Sequence, residues 1–206
     1  MDQKAYLISI LPKQSFNFMV QKDYIDKIEN VIEKFDNNYF STAQVQELKW
    51  KLRGSNKTIN SYNCKNAEVV FGGRKWIAWY TSDIPINDGP YKFWGLPGLI
   101  LEIRSEDDDY SFVFKSFVKI DDMHFKLPTN LNKISLEKKI NLKRNFVKSP
   151  SHSTRQEDLI GGFNDGAIIN GVKYSAEESY KLLDQELWDW MKEHNNPIEK
   201  GNVWVR

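Results

Sequence analysis

The hydrophobic and polar positions along the chain fall mostly into short alternating runs, which predict strands. Residues 4–11 read as an opening strand, and Phe16, Phe18 and Val20 alternate like a second. The period then changes: Tyr24, Ile28, Val31, Ile32 and Phe35 fall at helical spacing, with Asp23 as N-cap and Asn37-Asn38 as a stop, predicting a helix. Alternation resumes at Leu48, Trp50 and Leu52, followed by a turn at Gly54-Ser-Asn56. Ala67, Val69 and Phe71 alternate up to Gly72-Gly73, a two-glycine turn suited to a tight hairpin, and Trp76, Ala78 and Tyr80 continue on the return strand. Asp83 to Pro90 is an irregular connection. Beyond it Leu99, Leu101 and Ile103 share one face, Ser105 to Asp109 form a loop, and Tyr110, Phe112 and Phe114 return. Consecutive hairpins of this kind favour an antiparallel meander.

The C-terminal third is read differently. Lys133 to Lys148 carries six basic residues against Glu137 alone and reads as an exposed strand guarded by lysines, with a nucleic-acid surface as the lesser alternative. Ser149 to Glu157 reads as a loop. Asn170-Gly171 marks a short hairpin over 168–173, and Ser175 with Glu178 forms a capping box. Behind that cap, Tyr180, Leu183, Leu187, Trp190 and Met191 make one apolar helical stripe, read as core contact before partner contact. The expected fold is therefore α+β and mainly β: one domain over 1–206, a curved antiparallel meander sheet with one or two helices. An open half-barrel, by analogy with bacterial lipoprotein carriers, is one version of it.

Composition changes this picture little. The chain's 206 residues suffice for one sizeable core, and its 40% hydrophobic and 28% charged residues are those of a globular protein. A net charge of +1 supplies no field toward nucleic acid or an anionic membrane, so no nucleic-acid partner is expected. No apolar run reaches the roughly 18–20 residues of a membrane-spanning helix. Cys64 is the only cysteine, which excludes an intramolecular disulfide, a four-cysteine zinc site and a CxxC motif. Ala5 to Leu11 is short, stops at Pro12 and lacks a small-x-small cleavage site, so no export signal is read in it.

Candidate chemistry is sparse. His124, His152 and His194 show no metal-ligand spacing, and Glu106-Asp-Asp-Asp109 lacks the spaced ligands and glycine of a calcium loop, so no metal and no cofactor is expected. Cys64 has no neighbouring base motif and reads as a half-buried strand residue rather than a nucleophile. No serine-hydrolase elbow or phosphate loop appears. The segment with most promise runs from Trp79 to Trp94, where Tyr80, Asp83, Tyr91 and Lys92 lie between two tryptophans on a loop restricted by Pro85 and Pro90. The competing reading is a locked connection in which Asp83 and Lys92 pair or cap backbone. Candidate binding residues are Arg74, Trp79, Asp83, Tyr91, Lys92 and Trp94, and no catalytic residue is assigned.

Leu96-Pro97-Gly98-Leu99 has proline and glycine at the central positions of a type II turn, flanked by apolar residues that pin it as a buried corner. The run from Gly73 to Ile103, including Gly95, Leu96, Pro97, Gly98, Leu99 and Ile100, resembles the signature of the GLPGLI family of Bacteroidetes-type bacteria. Upstream, Ile59, Tyr62, Cys64 and Ala67 resemble that family's approach to the motif, with Asn66 where the family has lysine. Asn196-Pro197-Ile198-Glu199 resembles a frequent ending of its members. The likeness is strong over 59–103, looser over about 39–150, and thin in the hairpin and helix of 167–194. It implies an exported, uncharacterised protein of the periplasm or cell envelope. A truncated start, rather than a cytoplasmic member, is the favoured account of the missing signal. Two functions follow as expectations: a non-enzymatic binding or accessory protein that holds an apolar ligand or an envelope protein's segment, or a hydrolase-like enzyme with a composite site of Asp83, Lys92 and Arg74.

Overall fold

The computed structural model describes residues 18–35, 38–45, 47–116, 127–161 and 165–201. The expected strand at 4–11, Phe16 and His124 lie outside them. The described chain is α+β and mainly β. A four-stranded sheet of order β1-β2-β3-β9 comprises β1 (Phe18–Asp23), β2 (Ile28–Phe35), β3 (Asn38–Val45) and β9 (Leu131–Lys133). A five-stranded meander runs in sequence order from β4 (Lys51–Ile59) through β5 (Tyr62–Phe71), β6 (Arg74–Thr81) and β7 (Leu99–Ser105) to β8 (Ser111–Val113). Pairing is antiparallel except for β3 with β9, and neither sheet closes into a barrel. Then come α1 (Leu136–Lys148), α2 (His152–Gly161), the hairpin β10 (Ala167–Ile169) and β11 (Val172–Tyr174), and α3 (Ala176–Glu193).

The main core lies on one face of the meander. Ala67, Val69, Phe71, Trp76, Ala78 and Tyr80 are consecutive inward positions of β5 and β6, and Phe93, Leu96, Ile100 and Ile103 close over them. A smaller cluster of Cys64, Ile84 and Leu101, with Trp79 and Leu99 against it, covers the other face. A bulge divides β7 between these clusters. Tyr80 pairs with Ile100 and Trp79 with Glu102, leaving Leu101 as the extra residue. Simple alternation, which places Leu99, Leu101 and Ile103 together, therefore fails: Leu99 and Leu101 join the smaller cluster while Ile100 and Ile103 enter the main core.

Three expected elements change type. Residues 28–35 form a strand, because Val31 and Ile32 are both buried although adjacent residues point to opposite faces. Burial on both faces removes the alternation and leaves a spacing that mimics a helix. Residues 136–148 form α1 instead of a guarded strand: Ser135 accepts from the Lys138 backbone N–H, and the segment is rich in good helix formers. His152–Gly161 is helical where a loop is expected. Gly54-Ser-Asn56 lies inside β4 as an irregularity in its pairing with β5, not a chain reversal. The Asn170-Gly171 hairpin and the Ser175–Glu178 capping box form as the sequence predicts.

Candidate functional site

The connection between β6 and β7 is tied to itself by backbone. Leu99 N–H donates to Ile84 O (3.1 Å), Ile100 N–H to Asp88 O (2.9 Å) and Gly95 N–H to Asn87 O (3.2 Å). The corner within it is tighter than a type II turn. Gly98 N–H donates to Leu96 O across Pro97 at 2.8 Å, and Leu99 spends its N–H on Ile84 rather than on Leu96. Gly98 adopts φ 142° with its backbone against β6: a β-carbon there would stand 2.0 Å from Thr81 O. Only glycine fits this approach. Leu96 and Ile100 are buried in the main core, whereas Gly95 and Pro97 face solvent.

This loop presents Tyr91, Lys92 and Trp94 to the inner face of the four-stranded sheet. That face carries charge. Lys22, Glu29 and Gln44 are cross-strand neighbours on β1, β2 and β3, and Glu33 lies four residues along β2 on the same side. Lys22 Nζ donates to Asp88 Oδ1 (2.6 Å), Gly89 O (2.7 Å) and Phe93 O (3.2 Å), which fastens β1 to the loop. Trp94 Nε1 donates to Glu29 Oε1 at 2.8 Å. Glu29 is 0% exposed and its Oε2 has no hydrogen-bond partner among the described residues. Burial raises its pKa, against the Trp94 bond and the charges of Lys92 and Lys22. Lys92 is 2% exposed and divides its donors between Gln44 Oε1 and Glu199 Oε1, each at 2.7 Å. Glu33 receives Lys139 and Lys143 from α1, the latter at 3.9 Å. Burial lowers the Lys143 pKa to about 8, with Lys139 adding to the effect and Glu33 opposing it.

The chain after α3 closes this seam as a strap, Asn196 to Lys200, laid across the Gly72-Gly73 turn. Arg74, whose side chain is 1% exposed, organises it. Its Nε donates to Ile198 O (3.2 Å) and its Nη2 to Pro197 O (3.2 Å) and Asn196 Oδ1, while Nη1 binds Asp109 (2.5 Å) and Asp107. Tyr110 OH donates to Asn196 O, and Lys200 N–H to Gly72 O at 2.7 Å. Ile198 is buried in the main core. Glu199 receives Tyr91 OH and Lys92. Burial alone would raise the Glu199 pKa, but the Lys92 ammonium and these two hydrogen bonds outweigh it and hold the carboxylate below its ordinary range. Tyr91 shifts upward, through burial first and then the Glu199 charge. Both turn glycines have positive φ, and a β-carbon on Gly72 would meet Glu199 Cα at 2.9 Å. The pair thus makes the hairpin and leaves room for the strap.

The candidate residues fall into three places. Tyr91, Lys92 and Trp94 join the seam, and Arg74 joins the strap beside it. Trp79 and Asp83 belong to the opposite face of the meander. Trp79 lies beneath Lys57, whose ammonium stands 4.5 Å from the ring centroid, and the exposed Asp83 accepts from Asn63 N–H at 3.3 Å. Among the described residues Asp83 shares no hydrogen-bond partner with Lys92 or Arg74. In the acidic loop Asp107 and Asp109 bind Arg74, and no cluster of three metal-ligating side chains occurs among the described residues.

Sequence reading missed Lys22, Glu29, Gln44 and the role of Glu199. A glutamate set among Ile28, Val31 and Ile32 was the signal for Glu29, hidden by the helical assignment. The Asn-Pro-Ile-Glu run was visible, without any sign of what it touches.

No curated protein matches the chain. Among solved structures it is similar to PNGF-II in two crystal forms. In the P21 form identity is 15% and the TM-score 0.45, covering 60% of this chain and 24% of that one. In the C2 form identity is 16% and the TM-score 0.49, covering 66% and 26%. The chain thus spans about a quarter of the length of these solved chains. The stretch from the Gly72-Gly73 turn into β7, residues 72–102, matches the model of a family described as a protein of unknown function, Porph_ging.

Proposed function

We propose that this chain is a non-enzymatic accessory protein of the cell envelope, of the GLPGLI family, that holds a segment of protein rather than an apolar ligand or a reacting substrate. One observation carries the reading: two of the three polar groups expected to do chemistry, Arg74 and Lys92, hold a non-helical stretch of polypeptide. Arg74 and Lys92 direct donors to the carbonyl and side-chain oxygens of residues 196–199. A general base or nucleophile needs a group left available to substrate, whereas Lys92 and Tyr91 are committed to Glu199. Two surface depressions mix charge with apolar surface, so an apolar guest in either would have to lie against charged side chains. One of about 320 Å3 sets Phe18, Val20 and Tyr91 beside Lys22 and Asp88, and another of about 510 Å3 sets Val69 and Val70 among Glu47, Lys49, Lys51, Arg53, Glu68 and Lys75. Envelope location and the family name rest on the resemblance of residues 59–103 to that family's signature.

The test is recovery of the native full-length protein from fractionated cells, followed by mass spectrometry of bound protein and lipid. The expected result is a periplasmic or envelope fraction with one stoichiometric protein partner. Stoichiometric lipid in its place, or a hydrolytic activity abolished by Lys92→Met in a folded protein, overturns the reading.

A further inference from the structure

We propose that the groove under the strap is a sequence-reading peptide site, filled here by the chain's own Asn196–Lys200, which accepts a second polypeptide bearing an Asn-Pro-aliphatic-acidic segment in the same bent, non-helical path. The inference rests on the reading above and supplies the partner's chemistry.

Each strap position meets a group that reads it. The first residue is read twice: Arg74 Nη2 donates to the Asn196 side-chain oxygen and Tyr110 OH to its carbonyl. Proline suits the second position because it brings no N–H to satisfy and holds φ near −65°, and its carbonyl takes the second Arg74 Nη2 bond. The third side chain, Ile198, is buried in the main core while its carbonyl accepts from Arg74 Nε. The fourth, Glu199, meets the ammonium of Lys92 and the hydroxyl of Tyr91. Lys200 then bonds the turn through its own N–H to Gly72 O. Backbone contacts supply affinity and side-chain pockets supply choice, as in other modes of short-peptide recognition.

The receptor groups are built independently of the strap. Arg74 stays paired with Asp109 and Asp107, Lys92 stays bonded to Gln44, and the Gly72-Gly73 turn belongs to the β5–β6 hairpin. Removing the strap would leave a charged, shaped and partly apolar groove rather than a collapsed one. The strap follows α3 by two residues, and the Lys200 side chain is 53% exposed, so the last part of the segment is at the rim, where local opening begins.

The experiment uses full-length protein and a fluorescent, acetylated peptide of residues 195–201. In Ile198→Ala/Glu199→Ala protein the intramolecular competitor is weakened. That variant is expected to bind the peptide saturably and at least about tenfold more tightly than wild type, whose strap competes at high effective concentration. A peptide with serine and glutamine in place of its isoleucine and glutamate should not compete. If the double variant does not fold, Glu199→Gln protein replaces it, with a smaller gain over wild type expected. Folded variants that fail to bind the peptide, or bind a scrambled one equally, overturn the inference. A partner captured from cells whose binding the peptide does not displace also overturns it, while leaving the accessory-protein reading intact.

Discussion

The two sheets of this molecule are held together by opposite means. The meander presents Trp76, Ala78, Tyr80 and Ile103 to its core, close-packed with Phe93, whose ring centroid is 4.7 Å from that of Trp76. The four-stranded sheet turns Lys22, Glu29, Glu33 and Gln44 toward the same interior and is fastened by ion pairs and hydrogen bonds to the loop and α1, and through Lys92 to the strap. Hydrophobic burial is non-directional and insensitive to pH. Buried ion pairs are directional, and removing one partner strands the other. The meander should therefore set global stability, while the charged seam sets how the other elements sit on it and how that responds to pH.

The largest effect tests the meander. Trp76 is 0% exposed and its Nε1 donates to Phe71 O at 3.0 Å. Trp76→Ala is expected to cost about 3–5 kcal/mol in chemical denaturation and to abolish cooperative unfolding where the reserve is smaller. A loss under about 1 kcal/mol would show that the core does not carry the fold. Next comes the seam. Glu199→Gln removes the charge facing Lys92 and should cost about 1.5–3 kcal/mol, the worth of hydrogen bonds to charged groups. The folded Glu199 pKa is depressed, so its contribution is present above the ordinary glutamate range and lost as pH falls through the folded pKa. The difference between wild type and Glu199→Gln should shrink in acid, and a gap of constant size across the titration would remove the seam from the pH response.

Lys143 sharpens the comparison with opposite sign. Its folded pKa of about 8 lies below the ordinary 10.5, so its contribution is present above the unfolded value and lost as pH falls through 8. At neutral pH this lysine costs stability. Lys143→Met is expected to raise the denaturation midpoint at pH 7, with a gain on the order of 1 kcal/mol, and to remove the stability slope between pH 8 and 10.5. A clear loss at pH 7 would mean that its attraction to Glu33 outweighs the burial.

The same contrast explains what the sequence made legible. The meander could be read because its strands alternate and its turns carry diagnostic residues: Gly72-Gly73 at one end, the 105–109 loop at the other. Its two misreadings, the turn expected at Gly54-Ser-Asn56 inside β4 and the shared face of Leu99, Leu101 and Ile103, both fall at pairing irregularities, which break alternation without altering composition. The four-stranded sheet was opaque because β2 is buried on both faces and carries Glu29 and Glu33 where a core strand should be apolar. The lysines of α1 resembled a solvated edge, yet Lys139 and Lys143, one helical turn apart, reach Glu33. Loop residues Tyr91, Lys92 and Trp94 were legible as a group, but their partners Glu29 and Glu199 are 65 and 107 positions from Trp94 and Lys92. Pairings over such distances leave no local pattern.

Glu29 gives the smallest and most discriminating effect. Its Oε1 would remain an acceptor for Trp94 in Glu29→Gln, so the substitution changes charge more than shape, and a net change under about 1 kcal/mol is expected. Because burial raises the folded pKa, Glu29 contributes stability fully below the unfolded pKa and loses it as pH rises through the folded one. Glu29→Gln protein should therefore gain on wild type as pH rises, the reverse of the Glu199 response for a carboxylate in the same seam. Denaturation midpoints of both variants across the carboxylate range would display the two slopes side by side. If Glu29→Gln instead loses ground with rising pH, the charges of Lys22 and Lys92 outweigh burial at Glu29, and the seam is a closed ion network rather than one carrying a carboxyl whose ionisation burial opposes.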